Sequence, residues 1–202
     1  MFYIVESEEY LQRLENFHSL GAYIEVIPQN SQFHPKLTGI AAIYIRPRVV
    51  ERGFIIPINH SEGINVGVER ILEILKKYSE LYVLDRKNLL YFLDLPQSMD
   101  LNLIQMMVKY QKIELPQENS TVRWFYSRFG TRRDINSIIP IVKLYEDCEN
   151  RFEKIKQIMD FSRPPEFEFY NKWVSSAFFL LEQNGLRVDV NEFKEKFTPR
   201  DI

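Results

Sequence analysis

Between residues 22 and 58 three apolar, β-branched runs follow one another: AYIEVI at 22–27, TGIAAIYI at 38–45 and GFIIPI at 53–58. From Val66 the apolar spacing changes to that of a helix, with Val66, Ile71, Leu72 and Leu75 on one face and Lys76-Lys77 at the negative end of its dipole. That order constrains the chain more than any other feature. Short apolar runs of this kind read as buried strands. The stretch 28–37, with Pro28, Asn30, Ser31 and Pro35, reads as a loop, while Arg46, Pro47, Arg48 and Arg52 suggest a hairpin connection. A fourth apolar run, LYVL at 81–84, follows the helix. Ahead of all this, FYIV at 2–5 reads as a short strand, and Ser7 is placed to cap a helix carrying Tyr10, Leu11 and Leu14, with Gly21 as its punctuation.

Beyond the fourth run the pattern is helical. Segments 88–93 and 101–109 predict helices, and the longest helix is predicted over 134–159, with Ile138, Ile141, Val142, Tyr145, Phe152 and Ile155 on a stripe. Pro140 predicts a break or kink inside it. Pro164-Pro165 mark a boundary, followed by helices at 173–181 and 191–197 with Gly185 between them. The order β-α-β-β-β-α-β-α, then helices, predicts an α/β mixed sheet flanked by helices with a helical C-terminal extension.

Composition narrows the function classes. The chain has 202 residues, 45% of them hydrophobic and 14% aromatic, enough for a well-filled core. Its net charge of −2 means that any nucleic-acid contact rests on a local patch. The single Cys148 excludes an intramolecular disulfide and a cysteine-based zinc framework, and His18, His34 and His60 lack ligand spacing. No secretory leader and no apolar run of about eighteen residues is visible, so a soluble, cytoplasmic protein with no membrane partner is expected.

Three carboxylates stand out. Glu25 lies in an otherwise apolar strand, where a charge is costly unless it is paired, bound to a metal or turned to solvent. In Tyr145-Glu146-Asp147-Cys148-Glu149 the acids fan over neighbouring helix faces, so Asp147 either turns inward or belongs to a solvated charge run. Asp85, after the fourth strand, is either a ligand contact or a turn residue. The stretch RWFYSRFGTRR at 123–133 interleaves Arg123, Arg128, Arg132 and Arg133 with Trp124 and other aromatics. It fits single-stranded nucleic acid, with aromatics stacking on bases and arginines reaching phosphates. It equally fits a core segment with a basic rim. The loop Asn59-His60-Ser61-Glu62 has no nucleophile elbow and reads as a polar connection.

Taken in order, these segments resemble the ribonuclease-H-like 3′–5′ exonuclease domain of family A DNA polymerases. AYIEVI falls where that family carries its Asp-x-Glu motif, LYVLDRKNLLYFL where it carries Asn-x-x-x-Asp, and IVKLYEDCENRF where it carries Tyr-x-x-x-Asp. LLEQNGLRVD at 180–189 is similar to the passage from that domain into the polymerase thumb. The resemblance implies an exonuclease-like domain over 1–163 and a thumb-like helical segment over 164–202. It implies two metal ions held by carboxylates, Mg²⁺ or Mn²⁺, with no other cofactor. Carried over residue by residue, Glu25 falls on the first acid and Asp147 on the last. The other positions fall on Ile27, near Leu90 and on Lys143, and Asp85 is out of step. The implied reading is a degenerate exonuclease module acting in DNA replication, with weak or no nuclease activity. Its implied partners are single-stranded or primer-template DNA and a polymerase remainder or subunit, met through Trp173, Phe178, Phe179 and Phe193. The alternatives are an active exonuclease that uses Glu25, Asp85 and Asp147, and an interaction protein that kept the fold alone.

Overall fold

The computed structural model describes residues 4–30, 35–111, 113 and 135–184. The three successive apolar runs become β1 (Ala22–Pro28), β2 (Ile40–Pro47) and β3 (Phe54–Pro57), joined as antiparallel neighbours. The fourth run becomes β4 (Leu81–Val83), which lies parallel to β1, and β5 (Ser98–Asp100) lies parallel to β4. The sheet order is β3-β2-β1-β4-β5, which puts β1 at the centre. Every residue of β2 is buried, because it has a strand on each side and a helical layer on each face.

The period-2 alternation of β1 sorts its side chains between the two layers. Ala22 and Ile24 join Ile43, Ile45, Phe54, Ile56, Leu81 and Val83 on one face, packed against α1 (Glu8–Glu15) and α2 (Val68–Leu75). Tyr23 and Ile27 join Tyr44, Ile55 and Tyr82 on the other, under α4 (Leu101–Lys109) and α5 (Ile141–Ile155). Glu25, between Tyr23 and Ile27, therefore belongs to the α5 face. The helical periods follow the same logic: Ile71, Ile74 and Leu75 of α2, and Leu144, Cys148, Phe152 and Ile155 of α5, turn inward.

Several expected elements are redrawn. In place of one helix over 134–159 there is a 3₁₀ turn (Ile135–Ser137), then α5 with Pro140 as its N-cap residue, then a 3₁₀ turn (Lys156–Asp160). Pro140 brings no helical N–H, so it starts the helix rather than kinking it. Glu62, from the β3–α2 loop, accepts the Ile141 N–H at 2.8 Å and supplies the missing cap. Leu144 rather than Val142 turns inward, and Ile138 is exposed. The helix expected at 88–93 is the single turn α3 (Arg86–Leu89), and β5 was not expected at all. Of the opening run, Ile4 forms one parallel bridge to Ile55. The C-terminal helix starts earlier than expected, as a π-helical stretch (Phe169–Val174) that continues into α6 (Ser175–Asn184). The helix expected at 191–197 lies outside the described residues.

Candidate functional site

β1 outruns its parallel neighbour. Pairing with β4 stops at Tyr23↔Tyr82, and a cleft of about 180 Å³ opens beyond, lined by Ile24, Glu25, Val83, Asp85, Asn88 and Phe92. Crevices outside the carboxyl ends of parallel strands are where α/β sheets take ligands. Both Glu25 and Asp85 line it, but their side chains are differently employed. Asp85 caps α3: its Oδ1 accepts the Asn88 backbone N–H and its Oδ2 the Asn88 amide, both at 3.0 Å. The turn role is the one the geometry displays.

The Glu25 carboxylate meets the helix above it. Arg151 of α5 approaches it as a fork, Nη2 to Oε1 at 2.7 Å and Nε to Oε2 at 3.1 Å. Tyr23 donates its hydroxyl to Oε2 at 3.1 Å. Arg151 Nη2 also reaches Cys148 Sγ at 3.3 Å. Both charged side chains are about four-fifths buried, with 21% and 18% exposed. Burial by itself would weaken the Arg151 charge, but Glu25 more than compensates and holds the guanidinium above the usual arginine range. Burial and the Glu25 charge push the Tyr23 hydroxyl and the Cys148 thiol well up, so both stay protonated.

Asp147 is buried on α5, one turn before Arg151. Its charge, after burial and the Glu25 charge, adds to the upward push on the neighbouring Cys148 thiol. Glu25 meets α5 through Arg151, whereas Asp85 stands apart at the head of α3. Among the described residues no three His, Cys, Asp or Glu side chains converge as metal ligands. A hard divalent ion needs about six oxygens, several of them anionic. The first of the carboxylates it would use is held by a guanidinium, so the residues around Glu25 do not fit a two-metal centre.

A second buried polar group lies further along the same layer. Glu149 Oε1 accepts the Tyr44 hydroxyl at 2.8 Å and the Gly53 N–H at 2.5 Å, and Oε2 lies 3.6 Å from Arg46. Gly53 is required there, because a Cβ would come within 2.4 Å of the Tyr44 ring. Burial, then Glu149, raises the Tyr44 pKa far above the tyrosine range.

The described chain superposes on solved nucleases. It resembles RNase D of Trypanosoma brucei with a TM-score of 0.55 at 10% identity, over 91% of this chain and 70% of that one. For the GMP complex of the same enzyme the TM-score is 0.56 at 11% identity, over 91% of this chain and 62% of that one. The fold is the ribonuclease-H-like exonuclease fold. No protein-family model and no curated protein sequence matches the chain.

Arg151 and Glu149 were missed as site residues, and one of them was readable. Positions 144, 148, 151 and 155 repeat at helical spacing, so Arg151 shares the inward stripe of Leu144, Cys148 and Ile155. The basic-aromatic residues Arg123, Trp124, Arg128, Arg132 and Arg133 lie outside the described residues. Among the described residues no helix is long and apolar enough to cross a membrane.

Proposed function

We propose that this chain is an exonuclease-fold module that engages single-stranded nucleic acid and has weak or no 3′–5′ nuclease activity. One observation carries the reading: the Glu25 carboxylate, in the middle of the central strand, is forked by Arg151. A guanidinium neutralises a carboxylate as a metal would, but it has no open coordination position and lowers the pKa of no bound water. The reading is supported by a cleft beyond β4 and by the composition of the segment at 123–133, whose aromatics suit bases and whose arginines suit phosphates. That the nucleic acid is DNA, and that the module serves a family A polymerase in replication, rests on the order of the resembling segments. The partner would then meet the exposed Trp173 and Phe178 at and before α6. A ribonucleotide reading is favoured by the fold's likeness to an RNase D structure that carries GMP.

Labelled single-stranded DNA and RNA separate these possibilities. Binding without shortening, in Mg²⁺ or Mn²⁺, is the expected result, and the tighter polymer identifies the nucleic acid. Metal-dependent trimming that Asp147→Ala abolishes would establish an active exonuclease instead.

A further inference from the structure

A surface helix ordinarily turns its apolar side to the core and its polar side to water. The π-helical stretch and α6, which together span 169–184, are built the other way round. Their contacts with the body are mostly polar. Asn171 completes the edge of β5 at Ser98 and Asp100, and Ser176 Oγ accepts from Arg86 Nη1 at 3.2 Å. The Glu182 carboxylate accepts from Lys87 Nζ at 2.6 Å and from the Tyr91 hydroxyl at 2.5 Å, and Phe179 adds a ring contact with Tyr91. Phe169, Tyr170, Trp173, Phe178, Leu180 and Leu181 are all exposed, Trp173 by 71%. The π-helical turn aligns them. Each of its residues advances about 80° round the axis, against about 100° in an α-helix, so these six fall on one side of the element. Asn171, Ser176, Phe179 and Glu182 fall on the other.

A large apolar residue presents about 200 Å² when free, so six of them, roughly half exposed, offer on the order of 600 Å². That is the upper end of what a monomer's surface shows, and it approaches the roughly 800 Å² that each partner buries in a standard protein interface. The charges around the face select the occupant. Residues 166–184 carry Glu166, Glu168 and Glu182 against a single Lys172, so an anionic lipid surface would be repelled there. Glu168 lies 3.6 Å from Lys172, and Glu182 pairs with Lys87, which leaves the six apolar residues as an uncharged face. Such a face meets its own copy without setting like charges against each other. We propose that the chain forms a homodimer through it, about a two-fold axis that lays the same face of a second copy on it. Pairing of this kind is independent of nucleic-acid binding, and it occupies the surface that a polymerase partner would otherwise meet.

The test is sedimentation equilibrium of the full chain between about 1 and 100 μM, where an interface at the small end of the standard class is expected to form. The mass should be that of one chain at the dilute end and approach that of two at the concentrated end. Trp173→Glu/Leu181→Glu should keep its far-ultraviolet circular dichroism and weaken pairing on the order of a hundredfold or more. Ala177 is exposed on the same side of the helix. Ala177→Cys should therefore give a disulfide-linked dimer under mild oxidation with copper phenanthroline, while the buried Cys148 of the unaltered chain gives none. A single-chain mass at every concentration would overturn the proposal, and so would a dimer that the double variant leaves intact. Flotation of a monomer with vesicles of phosphatidylcholine and phosphatidylglycerol would also overturn it, in favour of a lipid surface. If the double variant does not fold, the Ala177→Cys cross-link decides: linked dimers support the pairing, and failure to link counts against it.

Discussion

Glu25 and Arg151 are separated by 126 positions in the chain, yet each is intelligible only through the other. A buried ion pair of this kind contributes little when compared with an apolar pair, while breaking it from one side is expensive. Glu25→Gln is expected to cost about 2 kcal/mol in urea unfolding, and Glu25→Gln/Arg151→Met less than the sum of the single changes. An additive double variant would show that the fork carries no coupling. Asp100 offers a second residue-scale test. It accepts the Arg86 N–H at 2.8 Å and the Leu103 N–H at 2.9 Å, but burial outweighs those donors and raises its pKa to about 6. The folded protein therefore holds this proton at pH values where the unfolded chain has released it. Stability should decline as pH rises from about 4 through 6, with the full cost of the charge present above that window. Asp100→Asn removes the charge but keeps only one of the two acceptor oxygens, so either the Arg86 or the Leu103 N–H would face an amide donor. It should flatten this part of the pH profile, as urea melts across pH would show.

How much of this was legible depends on the range of the interaction. An acid in an apolar strand announces that it needs a counter-charge, and Glu25 was singled out on that ground. The identity of the counter-charge was not local information. Asp85 was left between ligand and turn because both explanations are local, and the Asn88 contacts choose the turn. The doubly buried β2 was legible because its whole length is apolar. By contrast, Ser-Met-Asp of β5 carries no alternation to read. It is a strand because β4 offers it a partner on one side and Asn171 completes its other edge. That side chain donates to the Ser98 carbonyl and accepts the Asp100 N–H, both at 2.9 Å, as a neighbouring strand would. Asn171→Ala should cost about 2 kcal/mol and raise amide exchange at Asp100 ahead of the central strands. The cap of α5 was equally invisible, since Glu62 is 79 positions from Ile141. Removing it with Glu62→Ala should cost about 1 kcal/mol in the same unfolding assay.

For the whole molecule, a net charge of −2 is the dominant electrostatic fact. Phosphate binding by such a protein depends on concentrating its cations in one region, and the four arginines at 123, 128, 132 and 133 are the densest set in the chain. Each phosphate contact to a single strand contributes about −0.7 to the slope of log affinity against log salt. Replacing all four with Gln should make that slope shallower by up to about 3, measured by fluorescence anisotropy between low and moderate salt. An unchanged slope would move the contact surface elsewhere on the fold.

Cys148 is the chain's one thiol, fully buried against the Glu25–Arg151 pair and held protonated by burial and its acidic neighbours. A thiol reagent meets the thiolate only after α5 has lifted from the sheet. The molecule therefore keeps its own clock: the rate at which one sulfur atom is alkylated counts how often the central layer comes apart.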